Sequence, residues 1–293
     1  MRMRVRALRS LSLFAVGPLI AVAGCGGQRG PGDDGTAPAR RARQVAKAWD
    51  GSAAAAAWRA GYHPTGEVVR LPRGGLRSQD DKRAFLDHDF VLRGTLPEGG
   101  PKDGRVSWGG GATLTRPVVG AAESYRSLAV GRDGRKPHLT VTGAELGGMT
   151  VATSRGAAVV PAWLFTLKGY DSPLEVAAVT ASPLPPSPIG LSDGAPGLRL
   201  DRLVRIAADG RSVTVLALDG VCDDGPVVGA LETRGSVVLW ASVRNRKRGQ
   251  DCTKQARLEQ VTVKLRRPLG DRVLLDACTG RPLPYRGTGG RPR

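Results

Sequence analysis

Five stretches of this chain carry residue types and spacings associated with chemistry. Gly190-Leu-Ser-Asp-Gly194 matches GxSxG, a pattern that activates a serine when a strand delivers it to a strained turn and a helix follows. Here Pro185, Pro186 and Pro188 precede it and Ala195-Pro196-Gly197 follows, so Ser192 reads as a linker serine. Asp87-His88-Asp89 groups metal-capable side chains, but a zinc site needs three or four ligands and neither HExxH nor CxxC is present. Next to Phe90-Val91-Leu92 the trio reads as a solvated strand entry. Asp80-Asp81 and Asp223-Asp224 read as acidic turn pairs without calcium-loop spacing. Gly30-Pro-Gly-Asp-Asp-Gly35 matches GxGxxG, yet it follows no strand and opens no helix. No catalytic residue, metal or cofactor is expected.

Cysteine is more informative. Met1 to Arg9 carries Arg2, Arg4, Arg6 and Arg9 with no acid, and Leu11 to Ala23 is apolar apart from Ser12. A positive segment followed by about a dozen apolar residues is the pattern of a secretory leader and too short for a mature membrane span. Val22-Ala23-Gly24 then places small residues directly before Cys25. This resembles the lipobox of bacterial lipoproteins, which implies diacylglyceryl transfer to the Cys25 sulfur and cleavage before it. Two acyl chains on one residue suffice for stable anchoring. The resemblance implies an exported protein anchored to the outer face of the bacterial cytoplasmic membrane. Cys222, Cys252 and Cys278 remain, an odd number in an oxidising location. A Cys222–Cys252 bridge would staple two loops and leave Cys278 as a free thiol; Cys252–Cys278 is the other pairing considered.

The chain has 44 Lys+Arg against 26 Asp+Glu, formally +18, and losing the leader's four arginines leaves +14. For an exported protein the anionic partners are phospholipid headgroups and wall polymers, so nucleic acid is not an expected partner. Arg244, Arg246, Lys247 and Arg248, with Lys254 and Arg257 nearby, form the strongest basic run. It reads as a solvated inter-strand loop or, in the sharper reading, as a polyanion contact.

The elements around these residues divide the chain. Residues 1–24 read as leader and 25–43 as a Gly/Pro/Ala/Arg spacer. Residues 44–180 read as an α+β domain, an N-terminal helix packed on an antiparallel sheet. Ala42 to Ala60 has helical spacing, broken at Asp50-Gly51, with Ser52 as cap of a second helix. Trp49, Trp58 and Tyr62 read as core, with a ligand groove as the alternative. Strands are expected at Phe85 to Gly94, Gly104 to Trp108, Leu139 to Val141, Thr150 to Thr153, Ala157 to Leu167 and Leu174 to Val179. A short helix is expected within Pro117 to Leu128. Residues 181–198 form a Pro-dense linker, 199–286 an all-β sandwich-like domain, and 287–293 a disordered tail. Within the sandwich, Leu200 to Ala207 and Ser212 to Leu218 flank Asp209-Gly210 as a hairpin. Ser236 to Val243, Leu258 to Leu265 and Arg272 to Asp276 supply further strands.

Three stretches are similar to exported actinobacterial lipoproteins of unassigned activity. They are Ala48-Trp49 with Trp58-Arg-Ala-Gly-Tyr-His-Pro64, Arg155-Gly-Ala-Ala-Val-Val-Pro-Ala-Trp-Leu-Phe165, and Arg267-Pro-Leu-Gly-Asp-Arg-Val-Leu-Leu-Asp276 with Thr279-Gly-Arg-Pro282. The resemblance implies a lipoprotein with a Cys222–Cys252-type bridge; Cys278 departs from the pattern. The expected function is a non-catalytic binding or scaffolding protein with an unidentified protein partner, and the alternative is an envelope hydrolase assembled from residues distant in sequence.

Overall fold

The computed structural model describes residues 37–131, 137–191, 197–221, 223–244 and 255–285. Within them the chain is sheet-rich α+β, and all of them fall in one compact unit, Pro31–Arg293. Cys25, Ser192, Cys222, Arg246, Lys247, Arg248 and Cys252 lie outside the described residues.

Helix α1 (Ala37–Trp49) begins inside the stretch that composition assigns to a spacer. Ala39, Ala42, Val45, Ala46 and Trp49 recur at helical spacing and are buried, which makes one face of it core. Helix α2 (Ala53–Ala60) follows after Ser52, whose Oγ accepts the Ala55 N–H (3.1 Å), as the sequence leads one to expect.

The first sheet system follows. It contains β1 (Val69–Arg70), then helix α3 (Gln79–Leu86), β2 (Phe90–Leu92), β3 (Asp103–Trp108) and β4 (Thr113–Pro117). Helix α4 (Ala121–Leu128), β5 (Leu139–Thr153), β6 (Gly156–Leu167) and β7 (Leu174–Ala177) complete it. The β5–β6 hairpin is its spine, turning on Gly156 at φ 95°. Along its free edge β6 pairs first with β3 and then with β7. Pro161, which has no N–H to donate, sits between those two partners, and its carbonyl accepts from Ala178 (2.8 Å). Alternation splits β6 between two cores. Trp163, Phe165 and Leu167 pack with residues of α3 and α4, whereas Ala158, Val160 and Ala162 pack with Tyr62, Val106 and Met149. Because β2 pairs parallel to β5, the sheet is mixed.

Two sheets make up the rest. One is β8 (Leu200–Ile206), β9 (Ser212–Gly220) and, across β9, β12 (Ala256–Lys264); the other runs β10 (Pro226–Glu232), β11 (Ser236–Val243), β13 (Val273–Asp276) and β14 (Arg281–Pro282). Val213, Val215, Val237, Leu239 and Leu274 fill the space between them, a sandwich core. In β11 the alternate residues Val238 and Trp240 are buried as well, against Trp49, Val45 and Ala42 of α1. The strand expected at Ser236 to Val243 is present as β11, and its continuous apolar run matches burial on both faces.

Three expectations need correction. The N-terminal helix does not pack on the sheet that follows it in sequence; α1 covers the outer face of the second sheet system. Trp49 Nε1 donates to the Gly280 carbonyl (2.8 Å), and buried Arg41 donates to the Gly190 (2.6 Å) and Ala277 (3.3 Å) carbonyls. The exposed apolar face of β11 and β13 needs a cover, and α1 supplies it. Second, Phe85 to Leu86 belongs to helix α3 and not to a strand. Ser78 Oγ caps it through the Asp81 N–H (2.9 Å), and Asp80 and Asp81 lie in its first turn, where the helix dipole favours acids. Third, Leu139 to Val141 and Thr150 to Thr153 are two ends of one strand, β5, because its ladder with β6 runs through the intervening glycines.

The Pro-dense stretch after residue 180 is pinned at several points. Ser182 N–H donates to the Tyr62 carbonyl (2.8 Å), Ser187 Oγ donates to the Gly280 carbonyl (2.7 Å), and Ile189 packs on the α1 core.

Candidate functional site

A cleft of 1420 Å³ opens between the first sheet system and the sandwich. One wall carries Trp58, His63, Val68, Leu71 and the β5–β6 turn; the other carries Leu203, Ile206, Leu269, Arg272 and Tyr285. Leu184, half exposed at 50%, and Val68, at 37%, present large apolar side chains on it.

The first wall is built around an aromatic stack. The Trp58 and His63 rings lie 3.8 Å apart and within 7° of parallel. Gly61 permits this, since a Cβ there would sit 2.4 Å from His63 Nε2. Burial lowers the His63 pKa to about 4, aided by the Arg116 guanidinium and opposed by a hydrogen bond with the Trp58 backbone. The ring is thus neutral at physiological pH. Its carbonyl accepts the Ser154 N–H (2.9 Å), tying the stack to the β5–β6 turn. At that turn Arg155 lies 3.9 Å over the Trp108 ring and donates to the Ala60 carbonyl (3.2 Å). Thr153 Oγ1 accepts from Trp108 Nε1 (3.0 Å) and from the Arg155 N–H (3.1 Å). Tyr62 OH, His63 Nε2 and Ser154 Oγ are buried without a hydrogen-bond partner among the described residues. Burial raises the Tyr62 pKa to about 12.

The second wall holds a buried ion pair. Arg272 Nη1 meets Glu232 Oε2 at 2.9 Å, with side chains only 5% and 11% exposed. Its remaining donors reach the carbonyls of Leu269 (3.2 Å), Arg267 (2.8 Å) and Pro268 (2.9 Å). Glu232 also accepts the Arg266 N–H (2.7 Å). Burial acts to raise the Glu232 pKa, but the Arg266 N–H and the Arg272 guanidinium outweigh it and hold the carboxyl below its ordinary value. Tyr285 is raised by burial and by its hydrogen bond with Glu67, a contact that spans the two walls.

Of the described candidate residues that the sequence singles out, His88 and Trp58 line the cleft and the others lie elsewhere. Asp87 caps the C-terminus of α3, His88 takes a left-handed turn at φ 60°, and His88 Nδ1 lies 3.2 Å from the Leu128 carbonyl. The trio joins the end of α3 to the start of β2 at Phe90, so it is the strand entry the sequence leads one to expect and a helix exit as well. Among the described residues no three His, Cys, Asp or Glu side chains gather as metal ligands. Cys278 is half-buried and has no disulfide partner among the described residues; its thiol pKa is raised by burial and by Asp276, the reverse of an activated nucleophile. Arg244 is exposed, while Arg257, in its neighbourhood in sequence, is engaged by Asp219 (Nη2–Oδ2 2.7 Å). Trp49 and Tyr62 are core, and Trp58 lines the cleft. Sequence reasoning missed Glu232 and Arg272; the only signal was an arginine between a Pro-Leu-Gly-Asp turn and an apolar strand.

Compared with protein-family models, curated proteins and solved structures, the chain matches none.

Proposed function

We propose that the chain is an envelope lipoprotein anchored through Cys25 to the outer face of the bacterial cytoplasmic membrane. In this reading it is a non-catalytic binding protein: the first sheet system and the sandwich are two lobes, and the cleft between them takes the ligand. The observation that carries the reading is the cleft itself. Its 1420 Å³ exceeds the roughly 300–1,000 Å³ usual for small-molecule sites, and large apolar side chains stand exposed on its walls. Three ionisable groups beside them are committed to the walls: His63 to its stack, Arg155 to Trp108, and Arg272 to Glu232. An apolar or amphipathic ligand fits those surfaces best.

The test is titration with a naphthalene-sulfonate dye and with a long-chain fatty acid. The parent protein is expected to bind at one site. Val68→Asp combined with Leu184→Asp should weaken binding by at least about tenfold, because each removes apolar contact worth on the order of 1 kcal/mol. Both positions are partly exposed, so the fold should persist. Unchanged affinity in the double variant would move the site elsewhere.

A further inference from the structure

We infer that the outer face of α1 is a docking surface for anionic phospholipid headgroups, holding the protein flat against the membrane it is anchored to. The inference rests on the anchoring proposed above and adds an orientation to it. Arg40, Arg43, Gln44 and Lys47 are exposed and recur at the spacing that puts them on one side of the helix. The segment Ala37–Trp49 contains no acid, so nothing on the helix offsets that charge. Neither Arg40 nor Lys47 is held in an ion pair among the described residues.

Two features turn a basic stripe into a surface with a defined direction. The helix cannot roll about its axis. Trp49, on the side away from the stripe, is fully buried and bonded to Gly280, while Arg41, buried on the helix flank, is bonded to Gly190 and Ala277. The charged face is therefore fixed to the body of the protein. Its distance from the bilayer is also limited by covalent structure. Eleven residues lie between Cys25 and Ala37, and even fully extended the connection reaches at most ~43 Å. A lipidated Cys25 keeps α1 permanently within that radius of a negatively charged surface. Each basic residue that comes within about a Debye length of such a surface is attracted to it. The lipid supplies residence at the membrane, and the helix supplies orientation. One lipid-side contact through α1 would hold the sandwich lobe nearest the bilayer.

The experiment uses the chain from Gly26 onward, exported behind a cleavable leader so that no lipid is attached. This retains the whole Pro31–Arg293 unit. Binding is measured by co-sedimentation with vesicles of phosphatidylcholine alone or with about one third phosphatidylglycerol. The parent is expected to bind only the anionic vesicles, and less as salt rises. The triple variant Arg40→Gln, Arg43→Gln, Lys47→Gln should bind about 100-fold more weakly, which corresponds to roughly 3 kcal/mol. Its thermal melting should match the parent's. Replacing Arg244, Arg246, Lys247 and Arg248 with Gln should leave most of the binding. Equal binding to both vesicle types, undiminished binding by the triple variant, or loss confined to the 244–248 variant would each overturn the inference. Because this chain carries no lipid, those outcomes are independent of whether Cys25 is lipidated.

Discussion

Arg272→Met is expected to destabilise the protein by about 3–5 kcal/mol in urea denaturation, the range for breaking a buried ion pair by removing one partner. Methionine fills much of the arginine's volume, so the loss is mainly polar. It leaves the Glu232 carboxylate buried without its cation, and it leaves the Arg267 and Pro268 carbonyls without the guanidinium donors. The pH dependence gives an independent check. Because the Glu232 pKa is depressed in the folded protein, its contribution is fully present above the unfolded value of about 4.3 and is lost as pH falls through the folded value. The gap between parent and variant should therefore be widest near neutrality and narrow in acid. A gap constant across that range would mean that Arg272 acts through packing alone.

Trp49→Ala should cost about 3–5 kcal/mol, the range for truncating a fully buried tryptophan. The indole fills the layer between α1 and the second sheet, beside Val238, Trp240 and Leu275, and its N–H satisfies the Gly280 carbonyl. The same urea experiment decides between two descriptions of the N-terminus. If α1 were an accessory on the first sheet system, truncation would leave the sandwich intact, and the second lobe would melt as in the parent. Since α1 is the third layer of the sandwich, the loss should appear in the sandwich transition itself.

The elements legible in the sequence are those specified by local chemistry. Ser52 caps α2 because a hydroxyl in that place satisfies an N–H that the helix leaves open. Asp209-Gly210 turns β8 into β9, with Gly210 at φ 68° and the Asp209 carboxylate accepting the Arg211 N–H (2.8 Å). The parts that were not legible depend on partners distant in the chain. The start of α1 is rich in Ala, Pro and Arg, which reads as a spacer; burial against β11, some two hundred residues later, makes it helix and core. Helix α3 buries only Ala84, too little for a periodic signal. The middle of β5 contains Gly147 and Gly148 and becomes a strand through its ladder with β6. The cleft is the extreme case. Its walls come from both sheet systems, the Glu232–Arg272 pair joins residues forty apart, and Trp58 reaches His63 because Gly61 lacks a side chain.

Anchoring through Cys25 is the claim on which the functional account turns, and one measurement addresses it directly. Cells expressing the full chain or Cys25→Ala are labelled with an alkyne-bearing palmitate analogue and separated into membrane and soluble fractions. The account predicts that the parent chain is labelled and sediments with membranes, and that Cys25→Ala takes up no label. Equal labelling and equal membrane retention of the two proteins would contradict it.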